Sequence, residues 1–328
     1  MRFERSILLL LTAGALMASR TAVAADLTCS SSTTLEALAA CVRDQMPDRD
    51  SGTFVVPSST QMSAWRTVVR AMMGGRCDSV LPSSLSSFAR IRLVRDASNG
   101  RRYCVLMEVA DRNGDGIVDR GLGTFIVDAA AQRELFHAAA HPIADTGTEI
   151  QAITIFKETR SRSFMIAGAH RDASLVESDC QSSSAISDAA HNVANMFHAT
   201  YLELAAYYGS RPWWAIQWHG MAQSTCAAVD VHLSHGVDVT PVEGDRILRL
   251  KNKLLAYEPA WRIGVPGGGV CSLNATTNVQ GRLLNGVPSS RVCGSAAASY
   301  SGRFIHIEQD PAFRDADSWI PAVMDTWP

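Results

Sequence analysis

Short apolar runs alternate with helical segments through the second half of the chain, and this alternation constrains the fold more than any other feature. From about residue 131 onward, strand-like runs such as ELFHAAAH, SFMIAGA, WWAIQWHG and RFIHIEQ are separated by segments such as TEIQAITIFKET and RILRLKNKLLAY. Such alternation is typical of α/β proteins, in which helices cover a central sheet. We therefore predict a three-layer α/β sandwich with a mixed, mostly parallel sheet.

The first part of the chain has a different pattern. A helix is predicted over TLEALAACVRDQM, with Thr33 or Thr34 as its cap, and a second helix over residues 61–74. The strand-like runs ARIRLVRD, RRYCVLMEV and LGTFIVD follow and predict an antiparallel set that contains a hairpin. We expect residues 26–130 to form an α+β extension packed on an α/β domain of residues 131–328.

Residues 1–25 have the composition of a secretory signal peptide. Arg2 and Arg5 precede the apolar run SILLLLTAGALMA, and the small residues AVAA follow it. We expect cleavage after Ala25, with Ala24 as the alternative, and export to the periplasm or the exterior. No other stretch is long and apolar enough to cross a bilayer, so no membrane span is expected in the mature chain.

The cysteine content agrees with export. Eight cysteines, an even number, occur without a CxxC motif, which favours disulfides over a cysteine zinc site or a thioredoxin-like site. Of the many pairings that eight cysteines allow, we predict the sequential one: Cys29–Cys41, Cys77–Cys104, Cys180–Cys226 and Cys271–Cys293.

The charge of the chain argues against a nucleic-acid partner. The net charge is −2 and no basic stripe is present, so nucleic acid is not an expected partner. The sequence does not indicate an oligomeric state.

Histidines cluster at the ends of the strand-like runs. Six of the nine histidines lie between His137 and His219, and the late run RFIHIEQ contains Glu308 near its end. In α/β sheets, strand ends meet at one edge, where chemistry is usually located. Histidines and carboxylates gathered there indicate a metal site.

The segment HPIADTGTE supplies candidate ligands. His141 ends an apolar run, and Glu149 lies at the start of the following helix, with Asp145 as an alternative carboxylate. A catalytic zinc ion needs three protein ligands and one open position, and we predict His219 in AIQWHG as the third. The hypothesis requires the side chains of His141 and His219 to lie within about 5 Å of each other. The alternative is that His141, Glu149 and His219 are structural residues held by hydrogen bonds.

HPIADTGTE, the WHG at a strand end and FIHIEQ together resemble the zinc-dependent exopeptidase-like hydrolases. This group includes zinc carboxypeptidases, N-acetylmuramoyl-alanine amidases, N-formylglutamate amidohydrolases and poly-γ-glutamate hydrolases, and the resemblance covers roughly residues 135–312. It implies zinc ligands at His141, Glu149 and His219. It also implies that Glu308 is the general base that takes a proton from zinc-bound water. The alternative role for Glu308 is an ion pair with Arg303 or Arg314.

Several residues are predicted to support such a site. Arg171 could hold a substrate carboxylate, and His170 could stabilise a developing oxyanion. Asn278 and Arg282 would suit an anionic group on the substrate, although each could equally belong to an ordinary surface loop. Three further residues, His191, Asn195 and His198, share a face of a helix predicted from residue 188 onward. His232 and His235 are reserve metal ligands.

The segment DRNGDGIVD matches the front of a calcium loop. Its candidate ligands are Asp111, Asn113, Asp115, the Ile117 carbonyl and Asp119. Its twelfth position is a leucine and its flanks are strand-like, so an EF-hand is not expected, but a structural calcium ion in a hairpin loop is. The alternative is a turn rich in Asp, Asn and Gly.

The sequence thus predicts an exported hydrolase that cleaves an amide bond, peptide-like or acyl-amino-acid, with zinc-activated water. The expected substrate is a small molecule or peptide with an anionic group. A phosphatase is weakened by the lack of an RHG motif, and a serine hydrolase by the lack of GxSxG. The remaining alternative is a non-catalytic, disulfide-stabilised envelope protein that binds calcium or another ligand.

Overall fold

The computed structural model describes residues 26–328, so the predicted signal peptide of residues 1–25 lies outside the described part of the chain. The helices are α1 (Leu35–Asp44), α2 (Ser59–Met73), α3 (Ser83–Ser86), α4 (Thr148–Glu158), α5 (Met196–Tyr208), α6 (Arg246–Tyr257), α7 (Val279–Leu284) and α8 (Ala316–Thr326). The strands are β1 (Ala89–Arg95), β2 (Arg102–Glu108), β3 (Thr124–Asp128), β4 (Arg133–Ala139), β5 (Ser161–Ile166), β6 (Trp214–Gly220), β7 (Val231–Ser234), β8 (Ile263–Gly264) and β9 (Phe304–Gln309).

All nine strands form one mixed sheet in the order β1-β2-β3-β5-β4-β6-β9-β7-β8. The central strands β5, β4, β6 and β9 are parallel to one another, and β1, β2 and β3 continue the sheet in antiparallel fashion from β5. Strand β7 is antiparallel to β9, and β8 is parallel to β7. Four of the eight pairings are therefore parallel, which confirms a mixed α/β sheet with an antiparallel N-terminal part.

Helices cover both faces of the sheet and make the fold a three-layer sandwich. On one face, α1, α4, α6 and α8 contribute to a core that contains Trp218 and Trp319. On the other face, α2, α3, α5 and α7 pack over a core that contains Phe136 and Phe304. Because successive strand residues point to opposite faces, the buried central strands are apolar on both sides.

Strand β3 joins the N-terminal region to the α/β region. It pairs with β2 on one side and with β5 on the other, so residues from both predicted domains contribute to the same sheet. Of the two predicted caps for the first helix, Thr34 is the residue that caps α1, where it accepts a hydrogen bond from the Ala37 amide. On α2, Ser58 forms a capping box with Gln61.

The helix predicted from residue 188 begins later than expected. Helix α5 starts at Met196, and Asn195 is its N-cap, where the side-chain oxygen accepts a hydrogen bond from the His198 amide. Residues before Asn195 form turns instead. His191, Asn195 and His198 therefore do not share one helix face, because an N-cap residue ends the helical geometry that the spacing assumed.

All eight cysteines form disulfides, and two of the four predicted pairs are correct. The bonds are Cys29–Cys41, Cys77–Cys104, Cys180–Cys293 and Cys226–Cys271. The sequential prediction failed for the last two because distant loops meet in space at the site described below. Cys180–Cys293 spans 113 residues, and a cross-link of that length stabilises by about 4 to 5 kcal/mol in the chain-entropy account.

Four disulfides indicate that the chain matures in an oxidising, extracytoplasmic compartment. Between residues 26 and 328, no helix combines the length and the apolar character that a bilayer span requires.

Candidate metal centre

The carboxyl ends of the parallel strands bring three predicted residues together. His141 lies two residues after the end of β4, and His219 lies near the end of the neighbouring strand β6. Glu308 is directly opposite His219 on β9. Side chains that are opposite each other on adjacent strands point to the same face of the sheet. The parallel sheet thus places these three side chains at one edge, as the sequence predicted.

His141, His219 and Asp145 present three donor atoms at the corners of a nearly equilateral triangle. The Nδ1 atoms of His141 and His219 are 3.1 Å apart, and each lies 3.2 Å from Oδ2 of Asp145. All three residues are buried. In a tetrahedral zinc site with ordinary bond lengths, neighbouring donor atoms are about 3.3 Å apart. The three atoms therefore fit one face of a zinc coordination sphere.

Hydrogen bonds behind the rings decide which nitrogen of His141 carries its proton. Nε2 of His141 lies 3.0 Å from Oδ1 of Asp188. The pKa of the Asp188 carboxyl lies well below its usual range: burial opposes the shift, but the charges and hydrogen bonds of His141 and His191 outweigh it. An ionised carboxylate only accepts hydrogen bonds, so Nε2 of His141 donates. The lone pair of a neutral His141 ring is then on Nδ1.

The tautomer of His219 is fixed by a longer chain of hydrogen bonds. Asn278 is the N-cap of α7, and its Oδ1 accepts from two backbone amides, so its Nδ2 must be the atom that donates to Gln217. That fixes the accepting atom of Gln217 as Oε1, which lies 2.9 Å from Nε2 of His219. Nε2 therefore donates, and the Nδ1 lone pair of His219 also points into the triangle.

Two lone pairs and a carboxylate oxygen converge without a proton between them unless one ring is charged. Burial alone would lower the pKa of His141, but the charges of Asp188 and Asp145 outweigh it and raise that pKa to about 9. Burial lowers the pKa of His219 to about 4. Burial would raise the pKa of the Asp145 carboxyl, but the charges and hydrogen bonds of His141 and His219 outweigh burial and lower it. The triangle therefore needs a cation, either a proton on His141 or a metal ion.

Glu308 lies beside the triangle and faces the same cavity. Its Oε1 is 3.3 Å from Nε2 of His306, two residues earlier on β9, and His219, His306 and Glu308 form a second close group of possible ligands. Burial would raise the pKa of Glu308, but the hydrogen bond and charge of His306 lower it overall. No ion pair joins Glu308 to Arg303 or Arg314 within the described residues. Glu308 is thus an ionised carboxylate close to the candidate metal centre.

A cleft of about 290 Å³ opens over the triangle and Glu308. Its lining also includes Arg171, His191 and most of the segment 272–278, and Oγ1 of Thr277 in that segment lies 3.3 Å from Nε2 of His191. The disulfides Cys226–Cys271 and Cys180–Cys293 support this cavity. Cys271 immediately precedes the segment 272–278, and the backbone carbonyl of Cys293 accepts a hydrogen bond from Arg282.

Other predicted residues lie elsewhere or have different contacts. Glu149 is fully buried but forms an ion pair with Arg43 at 2.8 Å, while Asp145, the alternative carboxylate, completes the triangle. His170 is outside the cleft, and its Nδ1 accepts from the Asp172 amide. We predicted Glu149 as a ligand from its position at the start of a helix, but its Oε1 atom is paired with Arg43 of α1.

Two residues that were predicted to bind substrate make internal hydrogen bonds. Asn278 lines the cleft, but both of its polar side-chain atoms are engaged by the α7 cap and by Gln217. Arg282 donates to the backbone carbonyls of Thr276, Val292 and Cys293 and so supports the cleft wall. Arg171 does line the cleft, is about a third exposed and contacts Asp188 at 2.7 Å.

Three residues in or next to the site were not assigned a role from the sequence. Asp188 contacts His141, His191 and Arg171 and is almost fully buried. Gln217 and His306 lie two residues before His219 and Glu308, so strand alternation places them on the same sheet face as those residues. That alternation was the signal available for Gln217 and His306. No comparable pattern exists for Asp188, which lies in a turn.

The reserve ligands and the acidic loop have other partners. Nε2 of His232 lies 2.7 Å from Oδ1 of Asn274, and Nδ1 of His235 lies 2.9 Å from the Phe304 carbonyl. In the loop, the Asp111 carboxylate accepts hydrogen bonds from the amides of three residues, Gly114, Asp115 and Gly116. Asp119 accepts from the Arg112 amide. The loop is thus stabilised by its own backbone.

Comparisons with known proteins give only distant structural likeness. No protein-family model matches the sequence, and neither does any curated protein. Among solved structures, the zinc-free form of YndL is 14% identical with a TM-score of 0.32, covering 55% of this chain and 68% of that one. A gene product of Agrobacterium tumefaciens is 11% identical with a TM-score of 0.33, covering 58% and 85%.

A metallo-carboxypeptidase from Burkholderia cenocepacia is 10% identical with a TM-score of 0.29, covering 78% of this chain and 66% of that one. Metallo-carboxypeptidases belong to the group that the sequence motifs resemble. At this level of similarity the likeness does not establish an activity, and the chemistry follows from the side chains of this chain.

Proposed function

We propose that this protein is an exported zinc-dependent hydrolase that cleaves an amide bond in a peptide-like or acyl-amino-acid substrate. The observation that carries the proposal is the convergence of the Nδ1 atoms of His141 and His219 with Oδ2 of Asp145. Three buried donor atoms with inward lone pairs form a cation site whose spacing suits zinc. We assign His141, His219 and Asp145 as the ligands, with Asp145 in place of Glu149.

The remaining residues have roles that follow from their contacts. Bound zinc would supply Lewis acidity and lower the pKa of a coordinated water. Glu308, ionised and at the cleft wall, accepts the proton from the attacking water and delivers it to the leaving amine. Asp188 and Gln217 hold the two histidine rings through their Nε2 atoms and so keep both Nδ1 atoms directed inward.

The cleft walls favour a polar substrate that carries a carboxylate. Arg171 is the cation at the wall whose guanidinium is partly exposed, and a guanidinium can hold a carboxylate through two parallel hydrogen bonds. The exposed hydroxyl residues Ser272, Thr276 and Thr277 also line the cleft. This combination suits a peptide-like group with a free carboxylate.

Metal analysis of the purified, disulfide-bonded mature protein tests the proposal. One zinc per chain is expected in the unaltered protein and in Glu149→Gln, and less in Asp145→Asn. Loss of zinc in Glu149→Gln with retention in Asp145→Asn would reverse the ligand assignment. Calcium without zinc would favour the alternative of a non-catalytic envelope protein.

A substrate screen tests the activity itself. The zinc-loaded protein should hydrolyse at least one of three substrate classes, namely peptidoglycan fragments, acyl amino acids and poly-glutamate, and a chelator should abolish the hydrolysis. Bound zinc without hydrolysis of any amide substrate, in a protein that melts cooperatively, would contradict the enzymatic role.

A further inference from the structure

A second cavity lies away from the metal centre, where the first turns of α2 and α5 meet. Its volume is about 370 Å³, and no residue that lines it also lines the metal cleft. From α2 it is lined by Ser59, Met62, Ser63 and Arg66, which are spaced i, i+3, i+4 and i+7 and so form one stripe of the helix. Helix α5 contributes His198, Ala199 and Leu202.

The two helices run in the same direction, so their positive ends lie together. Trp65 on α2 donates to Thr200 on α5 at 2.9 Å, and about two helical turns further along both helices, Tyr207 on α5 donates to the Met73 carbonyl. Contacts that advance along both helices together require a parallel arrangement. The N-terminal end of a helix carries a partial positive charge, and here two helices of 15 and 13 residues bring that end to one cavity.

A buried histidine in the cavity lacks a partner. His198 is 2% exposed and lines the cavity, and its Nδ1 has no hydrogen-bond partner within the described residues. Burial and the nearby charge of Arg66 lower the pKa of His198 to about 4, so the ring is neutral near pH 7. A neutral imidazole has one N–H to donate, and an unsatisfied buried polar group of this kind is costly without a ligand.

The cavity also contains a cation that its own partner neutralises only in part. Glu203 is buried and accepts from Nε of Arg66 at 3.1 Å, and it also accepts from Nε of Arg70. Two guanidinium groups therefore share one carboxylate, which leaves a net positive charge. Only Arg66 of this pair lines the cavity.

The rest of the lining is apolar apart from two exposed residues, Ser289 and Ser290. Met62, Val193 and Leu202 are partly buried and line the cavity beside the charged end. We propose that this cavity binds a small organic carboxylate with an apolar body: the carboxylate contacts Arg66 and His198, and the body packs against Met62, Val193 and Leu202. This site is independent of the proposed hydrolase activity.

Benzoate is a suitable probe because it joins one carboxylate to an apolar ring. Calorimetry on the mature, disulfide-bonded protein should detect benzoate binding. The methyl resonance of Met62 in protein with labelled methionines should shift on titration, which locates the ligand. Removing the guanidinium that contacts a carboxylate costs about tenfold or more in affinity, so we expect Arg66→Gln to weaken benzoate binding by about that factor.

Arg70→Gln is the matched control, since Arg70 contacts the same Glu203 but does not line the cavity. Its benzoate affinity should stay within about threefold of the unaltered protein, which is less than the loss of one charged hydrogen bond. Ser63→Trp, at an exposed serine on the cavity wall, should block the site sterically without depending on charge.

Three results would overturn the inference. The first is that benzoate does not bind, or binds without a shift of Met62. The second is that Arg66→Gln and Arg70→Gln weaken binding equally, which would indicate a diffuse charge effect. The third is that inorganic phosphate binds at the same place as tightly as benzoate, which would show that the apolar walls contribute nothing.

Discussion

Two regions of this chain are rich in residue types that bind metals, and their donor atoms have different hydrogen-bond partners. In the loop of residues 111–119, the Asp111 carboxylate accepts hydrogen bonds from amides of the same loop. At the carboxyl edge of the sheet, the outer nitrogens of His141 and His219 are held by other side chains, and the inner donor atoms face one another. Donor atoms left without protons, rather than the number of acidic or imidazole groups, distinguish the candidate cation site.

The largest effect should come from removing an inward donor atom. His219→Ala takes away one of three ligands, and we expect loss of stoichiometric zinc and of hydrolysis. His232→Asn is the matched control, because His232 is buried on the adjacent part of the sheet but its Nε2 contacts Asn274. Metal content by elemental analysis checks both. Equal zinc in His219→Ala and in the unaltered protein would remove the contrast between the two regions.

Glu308→Gln should separate metal binding from turnover. The amide keeps the size of the side chain but cannot accept the water proton, so zinc content should persist while kcat falls by about 10² to 10⁴, the usual contribution of a general base. Parallel assays of zinc and hydrolysis on the same preparation give the result. Hydrolysis at the unaltered rate would exclude Glu308 as the base.

Asp188→Asn should weaken the site without removing a ligand. The amide can no longer fix the Nε2 proton of His141 as an ionised carboxylate does, and loss of such an outer partner costs about 10- to 100-fold in metal affinity or activity. Competition with a fluorescent zinc chelator measures the affinity. An unchanged zinc affinity would show that His141 is oriented by packing alone.

The metal-free protein should lose stability as pH rises. The pKa of His141 is raised to about 9 in the fold, above the unfolded value, so its contribution is complete below about pH 6.5 and disappears as pH passes 9. The slope is at most about 1.4 kcal/mol per pH unit for one proton. Chemical denaturation at several pH values, with and without zinc, tests this. Zinc replaces the proton, so the loaded protein should not show that slope.

The sequence predicted the fold better than it predicted the site. Apolar periodicity identified α1, α2, α4 and α6 and the main strands, and the cap at Thr34 identified the start of α1. These signals are local in the sequence. The late start of α5 and the pairs Cys180–Cys293 and Cys226–Cys271 depend on which distant loops meet, and no local pattern encodes that.

Within the site, strand-end residues were predictable and loop residues were less so. His141, His219 and Glu308 follow from the rule that parallel strand ends share one edge. The ion pair of Glu149 depends on Arg43, which lies 106 residues earlier and donates to Oε1 of Glu149, and no local pattern encodes that contact. Asn278 looked like a substrate contact, but its position as the N-cap of α7 directs both of its polar atoms inward.

The smallest effect is expected from calcium at the acidic loop. Since the Asp111 carboxylate is already satisfied by three backbone amides, a calcium ion must displace hydrogen bonds that are roughly as favourable as its own contacts. We therefore expect calcium to shift the melting temperature less than zinc does, with Asp111→Asn lowering stability whether or not calcium is present. Scanning calorimetry with calcium, with zinc and with chelator makes the comparison. A calcium shift as large as that of zinc, abolished by Asp111→Asn, would place a second cation site in this loop, and self-satisfied carboxylates would then no longer distinguish the two regions.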